Sequence, residues 1–153
     1  MNNIIIREQS LIDVDNKIAL AFCRLFDSHK NLIIYLYGDV GAGKTTLVRS
    51  ILRALGYAGK VQSPSYSVMN IYDLTLSFIH VDLYRFDGFD APELLLLDEY
   101  IDNAIYFIEW PDHAQEGILP KCDLSIHILS NSDQARAYSF FSPHSDILEL
   151  LSL

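Results

Sequence analysis

Polar and apolar positions follow several different rhythms along this chain, and each rhythm predicts an element. In "DVDNKIALAFCRLFDSHK", Val14, Ile18, Ala21, Phe22, Leu25 and Phe26 recur every three or four positions. That spacing predicts an amphipathic helix. "NLIIYLYG", residues 31–38, is β-rich and apolar on both faces, the signature of a central parallel strand. Helical spacing returns in "GKTTLVRSILRALG", with Leu47, Ile51 and Leu55 on one face and Gly56 as the stop. From Val61 to Phe86 the chain is rich in β-formers, and "DLTLS" predicts a hairpin turn. "APELLLLDEYID" predicts a second long helix, with Pro92 tolerated in its first turn. "NAIYFIEW" reads as a buried strand, and "KCDLSIHILS" and "ARAYSFFS" as two late strands joined by "NSDQ". The end, "DILELLSL", reads as a short helix or a tail. No repeat, low-complexity stretch or linker interrupts the pattern, so residues 1–153 are expected to form a single domain. The sum predicts a three-layer α/β architecture with a mostly parallel central sheet and additional antiparallel strands.

Composition narrows the function classes. Half of the 153 residues are hydrophobic, enough for a substantial core. Eleven basic against twenty acidic residues leave a net charge of -9. That balance argues against a protein that grips nucleic acid on its own, which needs a basic face. Cys23 and Cys122 stand far apart with no metal-ligand spacing, and are expected to be buried, reduced thiols. The start, "MNNIIIREQS", has three consecutive apolar residues and does not read as a signal peptide. No apolar run approaches the ~20 residues of a membrane helix. A soluble, cytoplasmic protein without a membrane partner is the expectation.

The strongest chemical signal lies between the first core strand and the helix after it. "YGDVGAGKTTLVRS" contains Gly38-x-x-x-x-Gly43-Lys44-Thr45, the spacing of a phosphate-binding loop. Gly38, Gly41 and Gly43 let the backbone approach a polyphosphate closely. The N–H groups of Gly38, Asp39, Val40, Gly41, Ala42, Gly43, Lys44, Thr45 and Thr46, with the N-terminus of the helix, can form an anion cradle. The Lys44 side chain reaches the outer phosphates, and the Thr45 hydroxyl can ligate Mg2+.

Such a loop needs acids to hold magnesium and to orient water. Asp82 in "SFIHVDLYRF" and Glu109 in "IYFIEW" both end apolar runs, and in open α/β sheets ligands sit where strands end. The two form the expected pair, with their division of labour left open. "VQSPSYSV" holds Ser63, Pro64 and Ser65 in a polar turn before a strand. It reads either as an ordinary turn or as a switch loop whose hydroxyl senses the outer phosphate. His80, two residues before Asp82, shares its face and reads as a packed, hydrogen-bonded histidine. Trp110, the only tryptophan, reads either as core or rim packing or, from its place directly after Glu109, as a nucleotide-sensing or partner-facing residue. His113, His127 and His144 show no metal spacing, and Arg85 reads equally as a surface cation or a phosphate contact.

Taken together, "GDVGAGKTT", "VQSPSYSV", "HVDLYRF" and "FIEWPD" resemble, in order and separation, the bacterial tRNA threonylcarbamoyladenosine biosynthesis ATPases, the TsaE family. The resemblance runs from about Asn31 to Pro120. It implies a P-loop ATPase fold, ATP and Mg2+ as ligands, and two protein partners: a threonylcarbamoyl transferase and its catalytically inactive paralogue. On this resemblance ATP hydrolysis resets the modifying complex between turnovers, and tRNA contact is at most indirect. By residue match, Gly41, Gly43, Lys44, Thr45 and Thr46 hold the phosphates. Thr45, Asp82 and Glu109 form the metal and catalytic shell, Ser65 is the switch hydroxyl, and Trp110 stands beside the site. The family usually carries Thr where this chain has Ser65, and often Glu where it has Asp112.

Three other readings compete. A small-molecule or nucleoside kinase closes an arginine-rich lid over the transferred phosphate. Beyond the loop helix this chain has only Arg85 and Arg136, and no insertion of lid length. A GTPase usually carries Asn-Lys-x-Asp late in the fold, whereas Asn16-Lys17 stands early and lacks the Asp. A pure binding module, holding nucleotide without turnover, is compatible with the composition but less favoured by two acids near the phosphates. The loop spacing generates a first prediction: Lys44→Ala abolishes productive ATP binding in equilibrium titration, and unchanged affinity would refute the phosphate-site assignment.

Overall fold

The computed structural model describes residues 2–8, 11–86, 102–132 and 135–152. In chain order the elements are β1 (Asn2–Glu8), α1 (Leu11–Ser28), β2 (Leu32–Tyr37), α2 (Lys44–Ala54), β3 (Met69–Asp73), β4 (Ser77–Asp82), β5 (Ala104–Glu109), β6 (Leu124–Ser132), β7 (Ala135–Ser142) and α3 (Ser145–Leu151). The helix expected over "APELLLLDEYID" lies, apart from Asp102, outside the described residues.

The strands form one sheet in the order β1-β7-β6-β2-β5-β4-β3. Its four central strands run parallel, through the pairings β6 with β2, β2 with β5 and β5 with β4. Antiparallel strands flank them: β3 against β4 on one side, β7 and then β1 beyond β6 on the other. The hairpin expected at "DLTLS" is the turn between β3 and β4, whose ends Asp73 and Ser77 pair directly. The pattern left β1 without an element. Its backbone pairs with β7 from Asn2↔Ser142 to Glu8↔Arg136, so the partner strand defines it as much as its own isoleucines do.

Alternation along the strands divides the core in two. Leu32, Ile34 and Leu36 of β2, Phe78 of β4 and Ile105 and Phe107 of β5 face the helices. From α1 they meet Ile18, Ala21, Phe22, Leu25 and Phe26, from α2 Leu47, Val48, Ile51 and Leu52, and from α3 Ile147, Leu148 and Leu151. Ile79, Val81, Ala104, Tyr106 and Ile108 face the other way and pack against Phe86, Trp110, Ala114 and Leu119. In the described residues all three helices cover the first face, and connecting segments cover the second. Leu55, expected on the buried face of α2, is only partly buried and caps the helix. Gly56 takes φ 94° just beyond it, and Tyr57 N–H closes back on Leu52 O at 2.9 Å. That is the left-handed helix stop for which glycine is favoured.

Cys23 and Cys122 are unpaired, and only half-buried where buried thiols were expected. Burial still pushes the Cys122 thiol up to about 11, so it stays protonated at neutral pH. Among the described residues no helix is long and apolar enough to cross a membrane.

The centre of the larger core is aromatic: Phe26 meets Phe78 edge-on at 5.4 Å and Phe107 at 6.3 Å between ring centroids. Phe107 is fully buried, and removing its ring leaves a cavity that the rigid sheet cannot close. Phe107→Ala is expected to cost about 3–5 kcal/mol, read as a lower denaturation midpoint at unchanged slope.

Candidate functional site

The site forms where the parallel strands end. β2 gives way to the loop 38–43, and α2 begins at Lys44. Gly41 and Gly43 take φ of 80° and 105°, conformations that cost other residues strain. Gly43 is the N-cap of α2, and no side chain caps the helix. The first-turn N–H groups therefore face outward without an internal acceptor, the usual anion-binding end of a helix.

Lys44 is buried and folds back on this loop. Its Nζ donates to Gly38 O at 2.5 Å and Asp39 O at 3.1 Å, and lies 4.1 Å from the centre of the Trp110 ring. Burial holds its pKa below the ordinary lysine value, although the carboxylates of Glu109, Asp82, Asp39 and Asp112 pull the other way.

The two predicted acids are neighbours. Parallel pairing of β4 with β5 sets Asp82 opposite Glu109, and both are buried. Their partners differ. Glu109 Oε1 accepts from Thr45 Oγ1 at 2.7 Å and from His80 Nε2 at 2.7 Å. Asp82 Oδ2 accepts from Ser63 Oγ at 2.8 Å and Ser65 Oγ at 3.2 Å, while Oδ1 accepts from Tyr84 N–H at 2.9 Å. Glu109 is thus tied to the start of α2, and Asp82 to the serine turn. The turn itself is held by Ser63 and Ser65, 2.6 Å apart, and by Val68 N–H on Pro64 O at 2.7 Å. Val68 takes φ 65°, a strained conformation for a β-branched residue.

Trp110 follows β5 with φ 57° and opens a short 3-10 turn over Pro111–His113. Tyr84 and His113 lie 5.0 Å and 5.1 Å from its ring. His113 Nδ1 donates toward Leu83 O and Tyr84 O at 3.1 Å and 3.0 Å, joining this turn to the segment after β4.

Val40, Gly41, Gly43, Lys44, Thr45, Thr46, Ser65, Asp82, Glu109 and Trp110 line a single cavity of about 340 Å³. Asp39 and Ala42 instead border a second hollow of about 280 Å³ on the β6 side, with Val40 and Gly41 shared between the two. Gly38 lines neither; a Cβ there would stand 2.8 Å from Ile128 O, so the loop needs it for packing against β6. The pattern of residues missed Ser63, Tyr84 and Arg136 as wall residues, and Arg85, left open, also lines the cavity. Arg136 comes from β7, and a Cβ on Gly43 would meet its guanidinium carbon at 2.5 Å. Among the described residues no three His, Cys, Asp or Glu side chains are grouped to hold a metal. The side-chain oxygens at hand include two carboxylates and the hydroxyls of Thr45, Ser63 and Ser65, a hard donor set that suits Mg2+ sharing its shell with water and phosphate.

A family model described as threonylcarbamoyl adenosine biosynthesis protein TsaE matches residues 12–138. Over 123 residues the chain is 37% identical to the tRNA threonylcarbamoyladenosine biosynthesis protein TsaE of Haemophilus influenzae, covering 79% of this chain and 77% of that one. Over 126 residues it is 35% identical to the protein of the same description from Bacillus subtilis, covering 81% and 75%. The crystal structure of Bacillus subtilis YdiB superposes with a TM-score of 0.72 over 97% of this chain and 91% of that one. Identity there is 24%, so this likeness speaks to the fold.

The buried ammonium generates a prediction about stability. Because desolvation outweighs four nearby carboxylates, the charge on Lys44 opposes folding at neutral pH. Lys44→Met, which keeps the apolar stem, is expected to leave the thermal midpoint of the nucleotide-free protein unchanged or raised. The penalty fades as pH rises through the lowered folded-state pKa, so the gap between the two proteins narrows in alkali. Destabilisation by the methionine at neutral pH would contradict this.

Proposed function

The chain belongs to the TsaE family of threonylcarbamoyl adenosine biosynthesis proteins, and from that premise we propose that it is a Mg2+-dependent ATPase serving bacterial tRNA modification. In this reading it hydrolyses ATP to reset a threonylcarbamoyl transferase complex that makes N6-threonylcarbamoyladenosine. The observation that carries the reading is the meeting of Thr45, from a phosphate-binding loop, with the buried pair Asp82 and Glu109 in one cavity.

The residues divide the work as their contacts suggest. The backbone of residues 38–46 and the N-terminus of α2 bind the polyphosphate. Lys44 exchanges the loop carbonyls it holds for outer phosphate oxygens. Thr45 and Glu109, already hydrogen-bonded, are the pair that would hold magnesium, which when bound would supply positive charge to offset that of the phosphate oxygens. Asp82, bonded by both serines of the turn, orients the attacking water and links it to Ser65 as the switch hydroxyl. Arg85 and Arg136 add positive charge to the cavity wall, where charge accumulates during phosphoryl transfer. Trp110 supports Lys44 through its ring face.

The chain's acidic balance fits a subunit that acts through protein partners rather than by gripping tRNA itself. Two proteins are the proposed partners, the transferase and its inactive paralogue.

ATP turnover by the purified protein, alone and with the transferase pair added, tests the proposal. Slow turnover that rises with the pair supports it; turnover indifferent to the pair counts against the partner, and phosphate transfer to a small acceptor counts for a kinase. Glu109→Ala is expected to bind ATP while losing most turnover, on the order of 100-fold. Normal turnover in that variant would remove Glu109 from the catalytic shell.

A further inference from the structure

His80 has no role in the scheme above. It lies on β4, two residues before Asp82 and on the same face, and is fully buried. Nε2 lies 2.7 Å from Glu109 Oε1. A carboxylate only accepts, so Nε2 carries the proton in this bond. The other ring nitrogen, Nδ1, is also buried and has no hydrogen-bond partner among the described residues. A proton there would be a second buried donor with nothing to meet.

A histidine kept for packing would satisfy both nitrogens, or would be exchanged for an aliphatic residue of similar size. Among the described residues this one leaves a ring nitrogen without a partner, at a desolvation cost, and spends its single donor on one oxygen of one acid. That oxygen is the one Thr45 also bonds. Glu109 lines the cavity.

We propose that His80 is a positioning residue for Glu109. Its Nε2–H, with the Thr45 hydroxyl, pins Oε1 and fixes the carboxylate rotamer, so that Oε2 is presented to the cavity. The Thr45 O–H can go on donating to Oε1 when its oxygen takes a ligand, so the two donors hold the carboxylate together. The bond is a property of the chain by itself; its effect on turnover rests on the ATPase reading.

Two measurements test this. In the nucleotide-free protein, 15N-histidine NMR should find His80 as the Nε2–H tautomer with a downfield, exchange-protected proton. That signal should be lost in Glu109→Ala. A proton on Nδ1 instead, or an Nε2 signal indifferent to Glu109→Ala, overturns the proposal. Kinetically, His80→Leu should lower kcat by about 10- to 100-fold, the scale of a misplaced catalytic group. KM for ATP should stay within about threefold, since the loop and Lys44 are untouched. His80→Gln, which keeps an N–H at similar reach, should recover most of the loss. Unchanged kcat in His80→Leu, or equal loss in both variants with KM rising alongside, overturns it. The NMR arm needs only the unaltered protein and Glu109→Ala, so it stands even where His80→Leu fails to fold. A wild-type chain without ATP turnover but with the His80–Glu109 signal intact supports the positioning bond and sinks the ATPase reading.

Discussion

Everything at the site depends on one register: the parallel pairing that sets Asp82 of β4 opposite Glu109 of β5. Parallel strands end together, so the two acids emerge side by side where the sheet stops and the loop after β2 begins. A slip of either strand by one residue would turn its carboxylate to the opposite face, away from the other acid and from α2. What prevents it is the core beneath them. Phe78, Ile105 and Phe107 on one face and Ile79, Val81, Tyr106 and Ile108 on the other are all buried, and none can be turned outward cheaply. The apolar packing of the sheet therefore holds the geometry of the acids.

The electrostatics show the opposing tendency. Four acids surround one lysine in a partly dehydrated cleft, and burial still wins over their attraction. The serine turn adds backbone strain at Val68, and Trp110 adds a left-handed backbone at a bulky residue. Stability is thus surrendered in one small region while the rest of the sheet is conventionally packed. Such concentration of strain and desolvation is common at functional sites.

Much of this was legible in the residues alone, for identifiable reasons. The loop spacing, the alternation in β4 and β5, and the rule that ligands gather at strand ends suffice for Lys44, Thr45, Asp82 and Glu109. The hairpin at residues 73–77 and the stop at Gly56 follow from local chemistry. What escaped depends on pairing between distant segments. β1 is three isoleucines with polar flanks until β7 is laid beside it. Arg136 reaches the loop only because β7 lies next to β6, and β6 next to β2. The shared face of His80 and Asp82 was visible, but the bond from His80 to Glu109 crosses between strands. Likewise the separate loyalties of the two acids, one to Thr45 and one to the serines, are facts of contact that no spacing encodes.

The single indole of the chain lies against the ammonium that touches the loop 38–43, 4.1 Å from ring centre to Nζ. Nine tyrosines scattered through the fold are dim beside it, and excitation at the red edge selects the tryptophan alone. Its emission therefore reports one place, a ring whose neighbours are Lys44, Tyr84 and His113, with no label attached. The molecule carries its own optical gauge of that neighbourhood.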